Sequence, residues 1–211
     1  MLTMRAARTR NRRYAAPESG RANTALMKEQ PHRALVLYWS HGGNTKKVAE
    51  RIHATLGGQG ITSELVEITP ELRVDYLDYR LVFVGAPVYQ FLPPKPVMAF
   101  LNGNWNRERV RGGAPERPGH WVVVFCTYGG GHTGFREALP ALKYMGQFFE
   151  HEGIRVVDEW GFVGDFPDAG ADYTEHGRLG SIAGRPTEED LEHAAGQVGG
   201  LIKRLSLLLE T

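Results

Sequence analysis

The chain has 211 residues, of which 42% are hydrophobic and 23% charged, with a formal net charge of +1. This is the composition of one ordinary globular domain with a sizeable core, not of a disordered or fibrous chain. No apolar run approaches the roughly 20 residues needed to cross a bilayer, and the single cysteine, Cys126, leaves no intramolecular disulfide, CxxC redox pair or thiolate zinc site. A soluble, cytoplasmic protein without a membrane span is expected, and the histidines show no spacing that would hold a metal.

At the start, "MRAARTRNRR" carries five arginines and no acid. It lacks the apolar core of a secretory signal, so residues 1–30 are read as a basic, disordered tail and 31–211 as the domain. A nucleic-acid arm and an organelle-targeting peptide are the competing readings; no nucleic-acid partner is expected. Met27 is a plausible alternative start.

From Arg33 onward, short apolar runs alternate with helical patterns, which predicts an α/β protein with a parallel sheet covered on both faces. The first strand is 34–39. A helix follows at 44–56, with Val48, Ile52 and Leu56 as its buried stripe and Gly57 and Gly58 as its end. Strand two spans 61–68, "PELRVDYLDY" is a short helix or turn, and 81–85 is a central third strand, apolar without interruption. "PKPVMAFLNG" reads as a short proline-led helix, and 104–120 as a polar, Gly/Pro-rich excursion whose arginines fit a solvated surface or a docking site. Strand four is 121–126. A helix at 135–151 should be kinked or delayed by Pro140. Strand five is 154–163. After a loop rich in Gly and Asp, a capping box of Thr187 and Asp190 opens a final helix with Leu191, Ala194, Ala195, Val198, Leu201, Ile202 and Leu205 inward.

Three loops leave strand ends with unusual chemistry: "SHGGNT", "GAPVYQFLPP" and "CTYGGGHTG". In a doubly wound sheet of order 2-1-3-4-5 they meet where ligands bind, outside the carboxyl ends of the strands. The first is a Gly-rich turn opening a helix, with backbone N–H groups at the positive end of the helix dipole and the Ser40 and Thr45 hydroxyls beside them, which suits a phosphate. The others supply Tyr89, Phe91 and Tyr128 as aromatic faces, and Gly129 to Gly131 as backbone that can approach a planar ligand. A phosphate pocket between aromatic walls suits flavin mononucleotide (FMN). "GGGHTG" is neither a nucleoside-triphosphate loop nor a dinucleotide fingerprint.

These motifs resemble those of the flavodoxin-like family, which includes electron carriers and quinone reductases. "LVLYWSHGGNTKKVAERI" is similar to the family's first strand, phosphate loop and first helix, with Ser40, Gly43 and Thr45 matching. "VFVGAPVYQFLPPKPVMAFL" and "VVVFCTYGG" resemble the two strands and loops that enclose the flavin. The resemblance implies a doubly wound five-stranded parallel sheet, FMN as cofactor, and a binding set of Ser40, His41, Gly42, Gly43, Asn44, Thr45, Pro87, Val88, Tyr89, Phe91, Thr127, Tyr128, Gly129 and Gly130. His132 is either simply solvated or a group that protonates or bonds a substrate at the flavin edge. Gly42 stands where the family usually has a hydroxyl, a missing bond worth ~0.5–1.5 kcal/mol. The turn at Tyr89 lacks the glycine that, in the carriers, flips its peptide toward the half-reduced flavin.

An FMN-dependent oxidoreductase or electron-transfer protein is therefore expected, its partner a redox protein or a small acceptor such as a quinone. The near-neutral charge disfavours a pure carrier, which tends to be acidic. A flavin-free binding module on the same fold is the alternative, motivated by Gly42 and the basic excursion. Donor, acceptor and oligomeric state stay open.

Overall fold

The computed structural model describes residues 33–109 and 116–209. The expectations for the tail at 1–30, and for the arginine-bearing stretch at 110–115, lie outside the described residues.

The strands are β1 (Arg33–Tyr38), β2 (Thr62–Glu67), β3 (Leu81–Pro87), β4 (Trp121–Tyr128) and β5 (Arg155–Val163). They form one sheet of order β2-β1-β3-β4-β5, parallel throughout, as the motifs implied. The helices are α1 (Asn44–Gly58), α2 (Lys95–Arg109), α3 (Leu139–His151), the single turn α4 (Ala171–Thr174) and α5 (Glu188–Leu209). No helix among the described residues is long and apolar enough to cross a membrane.

Successive residues of a strand point to opposite faces, so each central strand feeds two cores. Leu35, Leu37, Val82, Val84, Val122 and Val124 pack on one face with Phe100 of α2 and Leu142, Met145 and Phe149 of α3. Val36, Phe83, Val123 and Phe125 pack on the other with Val48, Ile52 and Leu56 of α1 and Val198 and Leu201 of α5. A strand buried on both faces has no place for a polar residue, which explains the uninterrupted apolar runs. Near the carboxyl end, Gly85 pairs in register with Phe125. A Cβ there would stand 2.0 Å from the Phe125 ring, so the glycine makes room for that ring.

Several boundaries move. Gly57 and Gly58 are the last two residues of α1, which runs two residues past Leu56, and the chain reversal follows at Gly60, whose φ of +77° favours glycine. β3 and β4 each run two residues further than periodicity indicates, to Pro87 and Tyr128, because Pro87 pairs with Thr127 and Tyr128 with Val163 of β5. The proline-led helix α2 continues through Arg109 and takes in the start of the polar excursion. "PELRVDYLDY" forms one 3-10 turn, Tyr76–Asp78, capped by the Asp75 side chain. Pro140 sits in the first turn of α3, where a missing N–H is harmless, and a separate 3-10 turn at Gly134–Glu137 precedes it. The box before α5 forms: Thr187 N–H donates to Asp190 Oδ2 at 2.8 Å and Asp190 N–H to Thr187 Oγ1 at 3.4 Å. Of its expected inner face, Leu191, Ala195 and Ile202 are half-buried, and Leu191 and Ile202 pack against the core.

Candidate functional site

The turn between β1 and α1 is shaped by its own backbone. Gly43 takes φ +92° as the residue before the helix, and its N–H donates to Ser40 Oγ at 3.1 Å. The Ser40 hydroxyl thus accepts one bond and keeps its proton to give away. No side chain caps α1, and the first intrahelical bond is Lys47 N–H to Gly43 O at 3.0 Å. The N–H groups of Asn44, Thr45 and Lys46 therefore open from the first turn without helical partners. A Cβ at Gly42 or Gly43 would meet nothing within 4 Å. This is an open cradle of donors at the positive end of a helix, and it fits a phosphate.

Thr45 is 1% exposed and its hydroxyl shares a 2.8 Å bond with that of Thr127, so the turn is tied to the end of β4. Asn44 Nδ2 donates to Asp165 O at 2.8 Å. His41 is exposed beside Gly42. Its ring stacks on Trp39, with centroids 6.3 Å apart and planes 11° apart, and Trp39 meets Tyr89 edge-on at 6.2 Å.

After β3, Pro87 pairs with Thr127 and Val88 N–H donates to Thr127 O at 2.9 Å. Residues 89–92 then form a tight turn, with Tyr89 N–H to Leu92 O at 2.8 Å and Leu92 N–H to Tyr89 O at 3.0 Å. Both central residues, Gln90 and Phe91, have positive φ (+50° and +70°), a left-handed geometry in which a bulky side chain is strained. Phe91 is 57% exposed, and Tyr89 and Leu92 also show their side chains to solvent. Burial, and then the negative charge of Asp168, raises the Tyr89 phenol above its ordinary value.

The third loop differs most from its sequence reading. Tyr128 is 9% exposed and packs edge-on against Phe135 at 5.7 Å, so its face is turned into the protein. Burial is the main cause that raises its phenol. The space left by the glycines is taken by protein: a Cβ on Gly129 or Gly131 would come within 2.7 or 2.4 Å of the Tyr173 ring, and one on Gly130 within 2.8 Å of Leu179. Buried Glu137 organises the loop by accepting from His132 N–H at 2.8 Å and Thr133 N–H at 2.7 Å. His132 is anchored through its backbone, and its exposed ring stands edge-on to Tyr173 at 5.9 Å. Neighbouring Cys126 is fully buried, and burial pushes its thiol up, which suits an inert core residue.

The structure thus brings Ser40, His41, Gly42, Gly43, Asn44, Thr45, Pro87, Val88, Tyr89 and Thr127 to one end of the sheet, with Phe91 at the rim. Tyr128 and Gly129 to Gly131 are in the same region but face protein. Sequence reasoning missed Trp39, Glu137 and the segment 164–187. Trp39 had a usable signal, an aromatic at the carboxyl end of the first strand. The segment had another: a connection that long carrying aromatics is seldom mere linkage.

The flavodoxin domain family matches residues 35–112. Among solved structures, the chain is similar to the flavodoxin of Streptococcus pneumoniae TIGR4, with 19% identity and a TM-score of 0.58 over 82% of this chain and 99% of that one. It is similar to oxidised flavodoxin 2 of Bacillus cereus at 17% identity, a TM-score of 0.58 and the same coverage. Rubredoxin oxygen:oxidoreductase of Desulfovibrio gigas matches at 13% identity and a TM-score of 0.56, over 87% of this chain and 39% of that longer one. No curated protein matches the chain.

Proposed function

We propose that this chain, a member of the flavodoxin-like family, binds FMN at the carboxyl end of its sheet and acts as an FMN-dependent oxidoreductase with a small, quinone-type acceptor. The observation that carries the reading is the uncapped start of α1 behind Gly43, with open space at Gly42 and Gly43 and three loops converging on it. When bound, FMN would supply the electron-transfer chemistry. The chain's part is placement. The N–H groups of Asn44, Thr45 and Lys46, with the Ser40 hydroxyl, would hold the phosphate, and the dipole of α1 favours its charge. Trp39 and Tyr89, mutually edge-on, would form one aromatic wall. His132, exposed on a loop whose backbone Glu137 fixes, would be the group to offer a hydrogen bond or a proton to an acceptor.

An apolar rim suits a flat organic acceptor better than a charged partner. Tyr89, Phe91 and Leu92 of the turn after β3 are exposed, as is Phe166 after β5, and the overall charge of +1 offers little electrostatic steering. The test is to denature the purified protein, identify any released flavin, and follow anaerobic reduction by NADPH with a quinone present. FMN release and quinone turnover support the proposal. FAD alone, or a colourless protein that takes up no FMN, contradicts it and leaves the flavin-free binding module. Reduction by a ferredoxin-type protein and by no nicotinamide donor favours the carrier.

A further inference from the structure

Segment 164–187 runs across the carboxyl end of the sheet and bonds both to the phosphate turn and to the loop after β4. At its start, Gly164 N–H donates to Tyr128 O at 2.9 Å, and Asp165 O accepts from Asn44 of the phosphate turn at 2.8 Å. In its middle, Asp168 acts on the Tyr89 phenol. At the far side, Arg178 N–H donates to Gly131 O at 2.8 Å.

Phe166 follows Asp165 directly and is 43% exposed, although the segment around it is well bonded. Its ring stands edge-on to Tyr173, 6.2 Å away with planes 77° apart. Tyr173 is fixed in turn. Its ring covers Gly129 and Gly131, and its hydroxyl donates to Glu137 Oε2 at 3.4 Å. An exposed aromatic ring that a second, anchored ring holds in place is organised before any ligand arrives, which lowers the ordering cost of binding. Tyr128 cannot serve in this way, because it is buried and packed against Phe135.

We infer that Phe166 is a stacking residue for the flavin ring and Tyr173 the positioning residue that holds it, in the place the sequence assigns to Tyr128. The inference rests on the FMN reading of the site. It locates the second aromatic wall on the connection between β5 and α5, which begins one hydrogen bond away from the phosphate turn.

The test titrates full-length apoprotein with FMN and with riboflavin, which has the same ring system and no phosphate. Phe166→Ala is expected to weaken both ligands by about tenfold, the scale of one lost aromatic stack, and Phe166→Tyr to restore both. Tyr173→Ala is expected to weaken both, whereas Tyr173→Phe, which keeps the ring and loses the hydroxyl's bonds to Glu137 and to the Gly131 backbone, stays within about threefold of wild type. Urea unfolding of each variant shows that the domain remains folded. Unchanged binding of both ligands by folded Phe166→Ala overturns the inference and leaves the FMN site standing. Loss of FMN affinity alone would place the effect at the phosphate and also overturn it. A wild-type apoprotein that binds neither ligand removes the site reading itself, and the inference with it.

Discussion

In the turn at 40–45 the bonds that set the backbone are short-range: Gly43 N–H reaches Ser40, and Lys47 N–H reaches Gly43. In the segment at 164–187, much of what fixes its course joins residues far apart in sequence. Asn44 holds Asp165, Arg178 holds Gly131, and Tyr173 lies over Gly129 and Gly131. Both regions border the same end of the sheet. The turn keeps its form from local geometry and presents open donors, while the segment keeps its form only because the rest of the fold is there to hold it. The glycines show the same contrast, since those of the turn border empty space and those after β4 border rings.

That contrast is sharpest at the glycines. Gly131→Ala would put a methyl 2.4 Å from the Tyr173 ring, and a loss of about 1–3 kcal/mol is expected from overpacking. Gly42→Ala meets nothing and should stay within about 0.5 kcal/mol of wild type. Urea unfolding of the pair checks this, and equal stabilities would mean that the segment is not packed on the loop.

Thr45→Ala comes next. Its hydroxyl, expected from the sequence to bond the phosphate, is buried and paired with Thr127, so the substitution should weaken FMN only by loosening the turn, by about 1 kcal/mol. Thr127→Ala breaks the same 2.8 Å hydroxyl pair from the other side and should weaken FMN by a similar amount. Affinities measured by fluorescence titration compare the two; a clearly larger loss for Thr45→Ala would mean that its hydroxyl reaches the phosphate and would contradict the pairing.

Asn44→Ala tests the link between the regions. Loss of its bond to Asp165 O is expected to cost about 1 kcal/mol, and amide exchange at Gly164 and Asp165 should rise about fivefold. Unchanged exchange would show that the segment holds without the turn.

The smallest effect concerns acid. Arg185, by hydrogen bonding, lowers the Asp190 carboxyl below its ordinary value, with burial opposing and the Thr187 N–H assisting. A carboxylate whose folded pKa is depressed adds stability above its unfolded pKa, about 4, and loses it as pH falls from there toward the folded value. Asp190→Asn should therefore be less stable than wild type near neutrality, and the gap should narrow below about pH 4. A gap constant with pH would contradict the pairing.

Much of the fold was readable because its signals are local. Apolar runs such as "LVFVG" mark buried parallel strands, and Gly43 before a helical stripe marks a strand-turn-helix unit. The last pair of residues in β3 and in β4 was not readable, since Pro87 and Thr127 are ordered by pairing with each other and not by their own propensities. At the site, the turn at 40–45 was legible for the same reason as the strands. Tyr128 and the "GGG" run misled because a glycine tells only that something approaches closely; whether it is a ligand or Tyr173 depends on a partner more than forty residues away. The left-handed pair Gln90 and Phe91 was hidden too, because neither residue type advertises that conformation.

The central claim is that the start of α1 is a phosphate site, and comparing FMN with riboflavin on the wild-type apoprotein tests it most directly. If the N–H groups of Asn44 to Lys46 and the Ser40 hydroxyl hold a phosphate, FMN should bind at least about tenfold more tightly than riboflavin, from one or more bonds to a charged group. Equal affinities for the two would contradict the account.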